Sequence, residues 1–175
     1  FTTEQRPSQW LSYDDGSFED GYKCTIYGWL VVRFTRPSGW SAARVTKVRI
    51  YLFSGSYEEF DIDSWDDYTS SGGYYWPSGS LINLKEQTSQ STGWREHTVN
   101  HTFSSSQFFV GIWHYSSDDP YLGADEGSSC ARRSYYKCGE GSWYVFTSGC
   151  DFGVRVYVEP AVSQALTQRP AGEPK

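Results

Sequence analysis

Methionine is absent from this chain of 175 residues, asparagine occurs only at Asn83 and Asn100, and leucine and alanine are few and scattered. With the strong helix formers so thin, a helical architecture is excluded. No stretch approaches 18 consecutive apolar residues, which excludes a membrane-spanning helix. Basic runs are missing too. The formal net charge is −6, arginine outnumbers lysine ten to five, and Arg132-Arg133 is the basic pair that stands out. Phosphate binding needs a basic stripe, so nucleic acid is not an expected partner.

The chemistry-bearing motifs are equally sparse. None of the four cysteines forms a Cys-x-x-Cys pair, no Gly-x-Ser-x-Gly elbow occurs, and nothing orders Ser, His and Asp as a triad. His97 and His101 have the i, i+4 spacing of metal ligands on a helix, but on a strand they stand about 13 Å apart and cannot chelate one ion together. His114 is isolated. Paired carboxylates can hydrolyse a glycoside, yet with 21 acidic residues any pair is weak evidence. The expectation is a protein without catalytic activity.

What is abundant is aromatic: 8 Trp, 14 Tyr and 10 Phe. They alternate with β-branched residues in runs such as 27–34 and 107–115, as strands require. Leu30, Val32 and Phe34 share one face, as do Val48, Ile50 and Leu52, and Phe152, Val154, Val156 and Val158. Further strands are read around Phe60 and Ile62, at 81–84, 94–103 and 142–147. Turn signals separate them: Arg36-Pro-Ser-Gly39, Ser71-Gly-Gly73, Trp76-Pro-Ser-Gly79, Ser117-Asp-Asp-Pro120 and Gly139-Glu-Gly141. Eight or more strands at this spacing predict an all-β fold, a two-sheet antiparallel β-sandwich of jelly-roll type. The sandwich is expected over 10–159, between a polar N-terminal arm at 1–9 and a C-terminal arm or linker at 160–175 that lacks aromatics and carries three prolines. Such an arm can lie on a neighbour, with Val162 and Leu166 on one face as anchors. Phe1 in place of an initiator Met suggests a processed export precursor or a trimmed chain.

The even number of cysteines favours two disulfides and an extracellular setting. Cys130 with Cys138, closing a short polar loop, and Cys24 with Cys150, tying an early strand to a late one, are the preferred pairs; the other connectivities stay open. Asn100-His-Thr102 is a glycosylation sequon. Acidic residues gather near turns, most densely at Asp14, Asp15, Glu19 and Asp20, where carboxylates can surround calcium; the plainer reading is that they cap turns. Tyr74, Tyr75 and Trp76 crowd an expected loop, and Tyr135, Tyr136 and Trp143 add rings in the second half. These are the candidate contacts for a glycan or protein partner. Trp29, Phe34, Phe60, Phe108 and Trp113 are assigned to the interior of the sheets or their packing.

The order of several short motifs carries a resemblance. Leu11-Ser-Tyr-Asp-Asp-Gly16, Val48-Arg-Ile-Tyr-Leu-Phe53, Phe60-Asp-Ile62 with Trp65-Asp-Asp67, Trp76-Pro-Ser-Gly-Ser-Leu81, Gly93-Trp94, Phe108-Phe-Val-Gly-Ile112 and Arg133-Ser-Tyr135 together resemble β-sandwich accessory modules of secreted archaeal and bacterial proteases and surface proteins. The likeness covers most of 11–158. It implies a non-catalytic domain that binds calcium, a ligand or a neighbouring domain; the four cysteines and the two arms depart from the pattern. Two readings follow: a secreted structural subunit that self-associates through its termini into an extracellular assembly or filament, and a carbohydrate-binding or protease-associated module.

Overall fold

A computed structural model describes residues 7–54, 59–87, 91–115, 120–127, 131–147, 149 and 151–161. Among these residues fifteen strands follow one another: β1 (Gln9–Leu11), β2 (Asp20–Tyr22), β3 (Gly28–Thr35), β4 (Ala43–Ser54), β5 (Phe60–Trp65), β6 (Asp67–Ser71), β7 (Tyr74–Ser78), β8 (Ile82–Gln87), β9 (Gly93–Phe103), β10 (Gln107–His114), β11 (Tyr121–Asp125), β12 (Ser134–Cys138), β13 (Tyr144–Val145), β14 (Asp151–Phe152) and β15 (Val154–Pro160). They build a seven-stranded sheet, β1-β15-β4-β11-β14 with β2 beside β11 and β9 beside β4, and a six-stranded sheet, β13-β12-β3-β10-β5-β8. A separate hairpin pairs β6 with β7. Every pairing is antiparallel, so the expected two-sheet sandwich is what forms.

The core lies between the sheets, where period-two alternation puts it. Leu30, Val32 and Phe34 from β3 meet Val48 and Ile50 from β4, with Val154, Val156 and Val158 from β15; all are 0% exposed. Gly111 is obligatory in the middle of β10. A Cβ there would stand 2.0 Å from the Leu30 carbonyl oxygen, so only glycine lets β10 and β3 close up.

The disulfide connectivity corrects the expectation. Cys24 bonds to Cys138, across 114 residues of sequence, with Cα atoms 5.4 Å apart. Residues 134–138 are strand rather than loop, and β12 runs antiparallel to β3 with Cys138 opposite Gly28. The end of β12 is thereby carried to the segment just before β3, where Cys24 sits, and neither sulfur is left for Cys130 or Cys150. Those two cysteines lie outside the described residues, as do Val162 and Leu166.

Candidate functional site

The six-stranded sheet is buried on both faces over much of its width. Its outer face carries a second, smaller core of Val31, Trp65, Phe109 and Tyr135, with Trp29, Tyr68, Tyr75, Trp76, Trp143 and Val145 packed against it. The β6–β7 hairpin supplies the cover, and its two-residue tip, Gly72-Gly73, has φ of +60° and +81°, the sign a tight I′-like hairpin turn demands. Pro77 fits in β7 because a two-stranded ribbon leaves an edge free of ladder bonds.

Beyond the hairpin the rings continue into solvent. Trp29 and Trp113, paired across β3 and β10, have centroids 4.1 Å apart; Tyr27 lies 5.4 Å and Tyr115 6.0 Å from Trp113. Tyr115 is 49% exposed. Polar bonds fix this ladder. The Trp29 indole N–H donates to Asp63 Oδ2 at 2.9 Å, and Asn83 Nδ2 donates to Asp63 Oδ1 at 3.0 Å. The Tyr115 hydroxyl donates to Asp61 Oδ2 at 2.8 Å, and that of Tyr27 to Glu140 Oε1 at 3.0 Å. Burial pushes the Asp63 carboxyl above the usual carboxylate range, against the two bonds it accepts. Burial and then the bond to Asp61 push the Tyr115 phenol up to about 12. The face thus offers rigid rings edged by carboxylates.

The six predicted contact residues do not form one patch. Tyr74, Tyr75 and Trp76 are on strand β7, not in a loop. Tyr75 packs on Tyr68, with centroids 5.4 Å apart, and Trp76 on Tyr135, at 5.6 Å; Tyr135 is 0% exposed, so it is core and not a surface contact. Trp143 joins the same outer cluster, 5.3 Å from Trp65. Tyr136, one residue on from Tyr135, points to the opposite face and packs on Tyr22 at 5.5 Å. Trp29 and Trp113, expected in the interior of the sheets or their packing, lie half-buried in the packing of the outer face. The signal that could have placed them was the near-continuous apolar run of β3, which marks a strand covered on both sides.

The acidic cluster is largely spoken for. Asp14, its side chain fully buried, is held bidentate by Arg155, with Arg155 Nε 3.1 Å from Oδ2. Arg155 in turn lies over the Trp94 ring at 4.4 Å. Asp15 Oδ1 accepts from the Ser17 amide at 2.8 Å and its hydroxyl at 2.6 Å. Glu19 Oε2 accepts from the Glu126 amide at 2.9 Å, and Asp20 Oδ1 from the Gly21 amide at 2.7 Å. These bonds hold the pKa of Asp15 and of Glu19 below the usual range. Among the described residues no three His, Cys, Asp or Glu are grouped to hold a metal ion. Asn100 is exposed on the solvent side of β9. Both His97 and His101 are on that strand too, as the spacing argument assumed.

No protein-family model and no curated protein matches the chain. Among solved structures it is similar to the crystal structure of the cysteine protease and lectin-like domains of Cwp84, a surface layer associated protein of Clostridium difficile, with a TM-score of 0.59 at 11% identity. The match covers 77% of this chain and 32% of that one, so the chain spans about a third of its neighbour's length. At this identity the likeness is one of fold.

Proposed function

We propose that this chain is a non-catalytic accessory module of a secreted or cell-surface protein, and that it holds carbohydrate on the outer face of its six-stranded sheet. The observation that carries this reading is the partly exposed ladder Trp29, Trp113 and Tyr115, locked from beneath by Asp61 and Asp63. Rigid rings stack on the apolar faces of sugar rings, and carboxylates at their edge accept sugar hydroxyls. The lectin-like domain in the neighbour's description supports the same reading. The test is a glycan array probed with the wild type, with Trp113→Ala in the half-buried ladder and with the exposed change Tyr115→Ala. Loss of the bound set is expected, with the β-sheet circular dichroism spectrum retained; binding that survives both changes would sink the proposal.

A second reading, a subunit that assembles through its terminal arm, is favoured by the edge of the seven-stranded sheet. Strand β9 is 11 residues long and, among the described strands, pairs with β4 alone. Such an edge accepts a donated strand. Removal of residues 162–175, with Val162 and Leu166, should then convert an assembled particle into a monomer; an unchanged particle mass argues against it.

A further inference from the structure

At the hairpin end of the same face, a cleft of about 290 Å³ opens between the β6–β7 tip and the start of β12. Its walls include Arg33, Arg132, Tyr74, Tyr135 and the backbone of Gly72 and Gly73. We infer that this cleft binds an anion, and specifically the carboxylate of a uronic acid residue in an acidic polysaccharide. The inference rests on the glycan reading and names the sugar class.

Charge is the first ground. In a chain of net charge −6 the cleft gathers Arg33 and Arg132, with Arg133 adjoining, and none of the described residues that line it is a carboxylate. Among the described residues none of these three arginines has an acidic partner, whereas Arg44, Arg49 and Arg155 all do. Desolvation is the second. The Arg33 guanidinium lies over the Tyr75 ring at 4.2 Å and donates one long bond to Gln107 Oε1 at 3.4 Å, while its Nε is buried without a partner. Burial lowers its pKa from the ordinary arginine value, and Arg133 adds repulsion. A cation taken out of water without compensation is costly, and an anion in the cleft offsets that cost.

Backbone geometry is the third ground. Arg132 has φ of +52°, alone among the described non-glycine residues in the left-handed region. Strain of this kind persists where surrounding structure holds a side chain for a purpose. Opposite it, Cβ atoms added at Gly72 or Gly73 would meet nothing within 4 Å, so the tip leaves the entrance clear. Size and shape select the ligand. The volume is near the lower limit of small-molecule sites and suits a single sugar ring. Tyr74, 5.8 Å from Trp76, offers that ring a stacking surface.

The probe is trigalacturonate, compared by calorimetric titration with its methyl ester, which removes the charge and keeps the sugar. The acid should bind about tenfold or more tightly than the ester, and the preference should weaken with added salt. Arg132→Ala, an exposed change, should abolish the preference without altering the melting temperature, and Arg33→Lys should weaken it while keeping the charge. Equal binding of acid and ester, no binding of either, or an Arg132→Ala variant that binds as the wild type overturns the inference. A short acidic peptide that binds as tightly as trigalacturonate overturns the sugar assignment in favour of a protein ligand. Neutral glycans lost on Trp113→Ala, with trigalacturonate and its ester binding the wild type equally, leave the proposed function standing while the cleft falls, so the two fail separately.

Discussion

The indole N–H of Trp29 and the carboxylate of Asp63 meet at 2.9 Å on the outer face of the six-stranded sheet, and Asp63 is only 2% exposed. A buried carboxylate that accepts from an indole and an amide holds both donors in place, here Trp29 and Asn83. Replacing it with alanine leaves both without an acceptor, at a cost of about 1–3 kcal/mol for each group that stays buried. Asp63→Ala should therefore lower the melting temperature by roughly 5 °C or more, and should shift the tryptophan fluorescence as the ladder loosens. An unchanged midpoint and emission would show that the pair positions nothing.

Cys24 and Cys138 close a loop with a sequence separation of 114, and a closure of that length restricts the unfolded chain by roughly 4–5 kcal/mol in the chain-entropy account. Cys24 is one member of a core otherwise built from strand residues of both sheets, so a Cys24→Ala/Cys138→Ala variant should still fold, with a melting temperature lowered by about 10 °C or more. Thermal denaturation followed by circular dichroism reads this directly, and a wild-type midpoint in the variant would contradict the pairing.

The inner core was legible because Val48, Ile50 and Leu52, or Val154, Val156 and Val158, alternate cleanly with less buried residues, and period two has one structural meaning. The outer face was not, for two reasons. In β3 and β10 the residues between core positions, such as Val31 and Phe109, are apolar as well, so alternation alone cannot tell a one-sided strand from a covered one. The covering hairpin was hidden by its composition: Asp67-Tyr-Thr-Ser-Ser71 is polar, and Pro77 reads as a turn. Without the hairpin, Arg33 looks like an ordinary solvent-facing residue of a strand. The disulfide is hidden for a related reason: 134–138 carries no clear strand signal, and register, not chain distance, brings Cys138 to Cys24.

Arg155 and Asp14 form the best-buried ion pair of the described residues, with the Asp14 side chain 0% and that of Arg155 25% exposed. Removing one member of such a pair strands the other, at about 3–5 kcal/mol. Asp14→Ala should lower stability by that order in urea denaturation, and an additional Arg155→Met change should recover part of it. With Asp14 engaged and no three acids grouped among the described residues, calcium would meet Asp15, Glu19 and Asp20 only singly, each already accepting from a neighbouring donor. A dissociation constant on the order of 1 mM is expected, typical of weak extracellular sites. At 1 mM calcium that stabilises the fold by only about 0.4 kcal/mol. A much larger rise in melting temperature on adding calcium would refute this ranking of the acids.

Asp151 and His97 set opposite dependences on pH. Asp151 is fully buried in β14; Oδ2 accepts from the Ala131 amide at 3.0 Å, while Oδ1 has no partner. Burial pushes its carboxyl from 3.8 up to about 6, with Asp125 and Asp14 adding repulsion. A folded pKa above the unfolded one means that the native state holds the proton more tightly. The stabilisation is full below pH 3.8 and is lost as pH rises towards 6, leaving a penalty of roughly 2–3 kcal/mol at neutrality. His97 is buried against Phe60 with Nε2 unpartnered, and burial lowers its pKa from 6.5 to about 4, helped by Lys85. Its stabilisation is full above pH 6.5 and disappears as pH falls towards 4. Between these limits the two slopes oppose each other, so wild-type stability should vary little. Asp151→Asn removes the rising limb, and its urea midpoint should fall on acidification from pH 6 to 4.5. His97→Phe removes the falling limb, and its midpoint should rise over the same interval, assisted by Asp63, whose shift has the sign of Asp151's. Two variants with the wild-type pH profile would show that neither group controls it.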